Sequence, residues 1–132
     1  MSDFSVYTAG QIADWMSQGT IDAAPSELYV TVFDDTGTER ATDFASGGRV
    51  STTAGGDWDI VSTGFENGIA IDFGEAVGDV TNLQDIALYD ASTGGNEIAR
   101  YTQSGAPYDV ADGTTLVFPA GNITFDVLDR TE

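Results

Sequence analysis

The sequence predicts a mainly β protein: an antiparallel β-sandwich of about 7–8 short strands with one short N-terminal helix. Three observations carry that expectation. From Pro25 onward, runs of β-branched and aromatic residues alternate with Gly-rich turn clusters at regular intervals. Helical spacing of apolar residues occurs once, close to the N-terminus. The 132 residues are 41% hydrophobic and 11% aromatic, enough for one packed core and too apolar for a disordered acidic chain. Residues 1–132 therefore read as a single domain without internal repeat or linker. A helical N-terminal segment is expected over about residues 4–19 and the sandwich over about residues 28–128.

Thr8-Ala9-Gly10-Gln11 has the spacing of a capping box, a hydroxyl N-cap with Gln at the third helical position. Ile12, Trp15 and Met16 continue at helical spacing and Gly19 is placed to stop the turn, which predicts a helix over about residues 9–18. Two roles are open for it. It covers an edge or face of the sheet, or it docks into a partner, because Phe4, Trp15 and Met16 are large for so short a segment. Leu28 to Phe33 reads as the first strand, closed by the turn chemistry of Asp34-Asp35-Thr36-Gly37. Residues 36–57 are small, polar and Gly-rich, with Phe44 and Val50 as isolated anchors; they read as a long loop or two edge strands.

Trp58 to Ser62 and Ile69 to Phe73 are expected to pair around Asn67-Gly68, the residues a type I′ turn prefers. Leu83 to Tyr89 runs into Asp90-Ala91-Ser92-Thr93-Gly94-Gly95 and returns as Glu97 to Tyr101. In that turn Gly94-Gly95 supply positive φ, while Asp90 and Thr93 bond the turn's own backbone. Ala111 to Thr114 reads as a further turn. The strands Thr114 to Phe118 and Ile123 to Val127 follow, joined by Pro119-Ala120-Gly121-Asn122.

Charge decides which functions are excluded. There are 22 acidic residues against four arginines (Arg40, Arg49, Arg100 and Arg130), a net charge of −18, with no lysine, histidine or cysteine. Four scattered arginines cannot displace the counterions of a nucleic acid, and an anionic membrane surface repels the chain, so neither is an expected partner. The composition offers no disulfide framework, thiolate nucleophile, zinc finger, haem site or Ser-His-Asp triad. No apolar run approaches the ~20 residues of a membrane span, and the acidic start at Met1 to Asp3 is not that of a secretory leader. At ordinary ionic strength such self-repulsion weakens the compact state. At molar salt the Debye length is ~3 Å, so repulsion is screened while carboxylates keep the surface soluble. The lack of lysine, whose apolar stem is adhesive in salt, points the same way. We expect a protein of a hypersaline environment.

Val80-Thr81-Asn82-Leu83-Gln84-Asp85-Ile86-Ala87-Leu88-Tyr89-Asp90-Ala91-Ser92-Thr93-Gly94-Gly95-Asn96-Glu97-Ile98 resembles the central hairpin of a family of small tailed-virus structural proteins, described as tail-fibre-like or head-decoration proteins. Their pattern is V-T-x-x-x-I-x-L-Y-D-A-x-T-G-G followed by a return strand. The stretch from Val110 to Phe125 is similar to the family's closing segment, and Ala24 to Phe33 to its A-P-x-x-x-Y-V-x-L-F opening. Together these cover about three quarters of the chain. The resemblance fails over about residues 38–57, where the family has a Tyr-Arg-containing strand and this chain has Arg40-Ala41-Thr42-Asp43-Phe44. It implies a virion component of a tailed virus, and the charge then makes the host a salt-loving microbe, a halophilic archaeon.

The function expected is therefore that of a multicopy, non-catalytic assembly or decoration component on the capsid or tail, made in the host cytoplasm and carried on the extracellular particle. Its partners would be itself, as a trimer or another cyclic ring, and other virion proteins. Phe4, Tyr7, Trp15 and Met16 are the candidate assembly surface, and exposed strand edges the second candidate. A receptor- or glycan-binding module is the first alternative, with Trp58, Tyr101 and Tyr108 as its aromatic candidates. A carboxylate-dependent glycoside hydrolase is the second; Asp57 and Asp59, two apart on a strand, would lie on one face of it. No cofactor is expected. A structural Ca²⁺ or Mg²⁺ would draw on Asp34, Asp35, Asp57, Asp59, Asp109 or Asp112, although none of these matches the acidic loop of a dedicated calcium motif.

Overall fold

Ten strands and one helix build an antiparallel β-sandwich in the computed structural model, which describes residues 3–62 and 64–127. Helix α1 (Val6–Gln18) precedes β1 (Glu27–Asp34), and a single 3-10 turn (Ala41–Asp43) leads into β2 (Val50–Thr53). Then come β3 (Trp58–Ile60), β4 (Gly64–Asn67) and β5 (Ile71–Glu75), followed by the long β6 (Val80–Tyr89) and β7 (Glu97–Thr102). β8 (Tyr108–Val110), β9 (Thr115–Phe118) and β10 (Thr124–Asp126) are the last strands among the described residues. Residues 36–57 thus hold one strand and one helical turn, pinned by the buried ring of Phe44.

The main sheet runs β2-β1-β6-β7, with β8 paired to the first half of β6. β1 and β6 are its spine: Val30 lies opposite Leu88 and Val32 opposite Ile86, and all four side chains are sealed from solvent. The shorter sheets β10-β4-β3 and β5-β9 bring Phe125, Ile71, Phe73 and Leu116 onto the same apolar cluster. Trp58, Phe65, Tyr101 and Phe125 form an aromatic knot there, with centroids 5.3–5.9 Å apart. Each such pair adds about 0.5–1.5 kcal/mol beyond its buried area.

β1 is covered on its other face too, because Thr31 and Phe33 are also buried. The cover is polar. Glu39 accepts the Thr31 hydroxyl and the Arg49 guanidinium, Arg49 lies 3.9 Å over the Tyr89 ring, and Arg100 lies 3.8 Å over Phe33. Arg49 also donates to the carbonyls of Ala91 and Gly94, at 2.8 Å each, and so ties the β6–β7 turn to β2. That turn forms as its residues demand. Gly94 and Gly95 have φ of 61° and 72°, and the Asp90 carboxylate accepts the Asn96 backbone N–H at 2.7 Å.

Two expectations are corrected. Trp58 to Ser62 and Ile69 to Phe73 do not pair around Asn67-Gly68: β3 pairs with β4, and β5 with β9. Asn67 is no turn residue but the buried end of β4. Its amide nitrogen donates to the carbonyls of Ile69, Phe118 and Pro119, and its side-chain oxygen accepts the Ile123 N–H at 2.8 Å. The second correction concerns the helix start. Ser5, not Thr8, is the N-cap, in extended conformation (φ −71°, ψ 167°), and accepts the Thr8 N–H at 3.1 Å. Thr8 lies in the first turn, where its hydroxyl donates to the Ile98 carbonyl at 2.8 Å.

Candidate functional site

The N-terminal segment is built in two parts. Residues 3–5 add to β7 as a short strand: Phe4 bridges Ala99, Ser5 N–H donates to the Ile98 carbonyl and Arg100 N–H to the Asp3 carbonyl, at 2.9 and 3.0 Å. Asp3 and Asp126 exchange two further bonds, at 2.8 and 2.7 Å. Burial raises the Asp3 carboxyl above its ordinary value. One edge of the main sheet is thereby closed against foreign strands.

The second part is α1, which ends at Gly19 in left-handed conformation (φ 73°). None of its residues is buried. The expectation that its apolar stripe covers the sheet is met only by the polar contacts of Ser5 and Thr8 with β7. Trp15 is 54% exposed and Met16 75%, with Val6, Ile12 and Ile21 exposed beside them. The segment after the helix folds back along it. Asp22 donates its N–H to Gln11 at 2.7 Å and accepts the Tyr7 hydroxyl at 3.1 Å. A shallow groove of about 170 Å³, walled by Tyr7, Ile21, Ala23, Ala24 and Pro25, remains between them.

The four candidate assembly residues thus separate. Phe4 packs against the core and Tyr7 against the returning segment, whereas Trp15 and Met16 face solvent. From Phe4 to Ser26 the only charges are Asp14 and Asp22, so the exposed apolar side chains lie in a weakly charged stretch of a chain of net charge −18.

The candidate cation ligands are spread over the fold, and four of the six are engaged with backbone N–H groups. Asp34 accepts the Thr36 hydroxyl and the N–H groups of Thr36 and Thr38, and pairs with Arg40 at 3.3 Å. Those bonds, the Thr36 hydroxyl foremost, hold its carboxyl down at about 2. Asp57 accepts the Thr53 N–H, Asp109 that of Asn82 and Asp112 that of Gly78, while Asp35 and Asp59 are exposed. Among the described residues no three His, Cys, Asp or Glu side chains converge as a metal site would require. Asp57 precedes β3, and its carboxylate belongs to the turn that opens the strand.

The aromatic candidates are packed rather than displayed. Trp58 donates its indole N–H to Thr52 at 2.8 Å and lies in the aromatic knot; Tyr108 donates to the Gln103 side chain at 2.9 Å. Burial pushes the Tyr101 hydroxyl up to about 12. The described arginines are likewise committed: Arg40 to Asp34 and Asp43, Arg49 to Glu39, Arg100 to Glu97 and Asp85. The bond with Arg49 lowers the Glu39 carboxyl in turn. Arg130 lies outside the described residues.

An antiparallel sandwich with an outlying, solvent-facing helix is here the body of a tailed-phage fibre-type structural protein, as comparison with known families establishes. Residues 3–126 match the family described as podophage GP4 fiber I protein gp80, and the chain belongs to that family. No curated protein matches the chain.

Proposed function

We propose that the chain is a non-catalytic component of the virion of a tailed virus, present in many copies, which associates with further copies of itself through α1. The observation that carries this reading is the exposure of Trp15 and Met16 on a helix that buries none of its residues in its own sheet. Charge supports a second copy as the occupant. Two chains of net charge −18 repel least where their surfaces carry fewest carboxylates, and that is the stretch from Phe4 to Ser26. In strong salt such a contact leans on apolar burial, which salt strengthens.

The test is the mass of the particle in solution. Wild-type chain in molar NaCl sediments as an oligomer, and the double substitution Trp15→Glu, Met16→Glu weakens association by roughly a hundredfold, equivalent to about 3 kcal/mol. Far-UV circular dichroism of the variant stays that of the wild type. A monomeric wild type, or a variant that associates unchanged, overturns the reading. Locating the chain on the intact particle by image reconstruction separates a capsid from a tail position, and finding it off the particle refutes a virion role.

The acidic surface supports a hypersaline setting for that particle. Lowering NaCl from molar to millimolar should lower the thermal midpoint by roughly 10 °C, about 2 kcal/mol at this chain length, as repulsion between carboxylates is unmasked. A midpoint indifferent to salt removes the argument for a salt-loving host.

A further inference from the structure

Asn67-Gly68 is the only Asn-Gly pair in the chain; the other asparagines, Asn82, Asn96 and Asn122, precede Leu83, Glu97 and Ile123. Such a pair carries a reaction of its own. The backbone nitrogen that follows an asparagine can attack the side-chain carbonyl carbon, and a glycine, having no β-carbon, leaves that approach least hindered. A new C–N bond closes a five-membered imide, the attacking N–H gives up its proton to solvent, and the amide nitrogen leaves as ammonia. Water then opens the ring at either carbonyl, which yields aspartate or isoaspartate. Water is the only co-reactant.

The fold holds both reacting groups back. The Asn67 side chain is buried, with its nitrogen donating to the carbonyls of Ile69, Phe118 and Pro119 and its oxygen accepting the Ile123 N–H. Its backbone is engaged as well: its N–H donates to the Ile123 carbonyl at 3.1 Å, and its carbonyl accepts the Gly121 N–H at 2.7 Å. The nucleophile is tied in turn, since Gly68 N–H donates to the Asp57 carbonyl at 2.7 Å. Attack requires that this bond break and that the amide turn out of its own bonds, so β4 has to part from residues 118–123 first. Asn82, Asn96 and Asn122, whose followers carry side chains that hinder the same attack, are all exposed. The chain buries its one reactive amide and displays the slow ones.

We infer that Asn67-Gly68 is a self-modification site, closed in the folded chain and released when β4 opens, whose product bars refolding. The product does so on two grounds. Aspartate sets a carboxylate against the three carbonyl oxygens that the amide nitrogen served, and isoaspartate lengthens the backbone by a methylene at the end of β4. A copy that lingers unfolded is thereby withdrawn from those able to assemble, whereas a folded copy keeps its amide. No residue of α1 takes part, so the inference does not rest on the assembly reading.

Peptide mapping by mass spectrometry tests it, on the full chain kept for days in mildly alkaline buffer, either folded in molar NaCl or unfolded in guanidinium chloride. Acid at position 67 should form roughly a hundredfold faster or more in the unfolded chain, the factor for an opening that costs ~2.7 kcal/mol. Asn82, Asn96 and Asn122 should lag behind position 67 there. Once denaturant is removed, chains that kept the amide should regain the native circular dichroism. Chains carrying the acid, separated by anion exchange, should not. Gly68→Ala should slow the reaction in the unfolded chain roughly tenfold, because its β-carbon crowds the approach, and that readout needs no folded variant. Comparable rates in the folded and unfolded chain, acid forming as fast at the other three asparagines, an undiminished rate in Gly68→Ala, or full refolding of the acid form each overturns the inference.

Discussion

Gly64→Ala should destabilise the chain by about 3 kcal/mol or more, seen as a fall in the thermal midpoint followed by circular dichroism. A β-carbon at Gly64 would stand 1.8 Å from the Phe125 carbonyl oxygen, 2.8 Å from its carbonyl carbon and 3.0 Å from the Asp126 Cα. All three atoms are backbone, so no side chain can swing aside. Relief requires β4 and β10 to separate, and Phe125, at the centre of the aromatic knot, goes with them. Gly64 does not adopt positive φ, so close approach rather than conformational freedom is what demands glycine there. Gly10→Ala is the matched control: its β-carbon meets nothing within 4 Å, and alanine in a helix is neutral to stabilising by up to ~1 kcal/mol. A Gly64→Ala variant as stable as the wild type would refute the described pairing of β4 with β10.

Asn67→Ala is expected to cost roughly 3–5 kcal/mol by the same measurement. The substitution removes the donor shared by three carbonyls, those of Ile69, Phe118 and Pro119, and the acceptor of the Ile123 N–H. Asn67 is 1% exposed, so water reaches these groups poorly once the amide is gone. Because the four partners sit on the approaches to β5, β9 and β10, the loss should loosen both small sheets together. Asn67→Asp should be no rescue at neutral pH, since a carboxylate keeps the Ile123 bond but faces three carbonyl oxygens. A loss within ~0.5 kcal/mol for Asn67→Ala would mean the network is not bridging the sheets.

Asn67 also marks where the sequence was legible and where it was not. Strands and turns that satisfy themselves locally could be read directly. Leu28 to Phe33 alternates between two faces, and the Asp90 to Gly95 turn takes its shape from its own glycines and carboxylate, with Arg49 adding a tie to β2. The Ala111 to Thr114 and Pro119 to Asn122 turns are equally local, closed by N–H bonds from Thr114 to Ala111 and from Asn122 to Pro119. The same local chemistry misleads at Asn67-Gly68. An Asn-Gly pair is the usual mark of a hairpin, but residues 51 to 56 positions away claim the side chain instead. The helix start slipped for a related reason: Thr8 looks like a cap, but its hydroxyl is drawn to β7, an association invisible along the chain.

The resemblance through residues 80–98 and 110–125 led to the fibre family because it rests on such local turn patterns. The exposure of Trp15 and Met16 was foreshadowed by side chains too large for a short helix, whereas the inward path of Phe4 depends on the edge of β7.

The inward commitment of the arginines has a consequence at the scale of whole particles. Arg40, Arg49 and Arg100 each meet carboxylates of the same chain, leaving most of the 22 acidic groups with no cationic neighbour among the described residues. Any array that repeats this chain over a surface is a polyanionic colloid. Its particles migrate strongly toward the anode at low salt, and they resist clumping in brine through water bound at their carboxylates rather than through long-range repulsion.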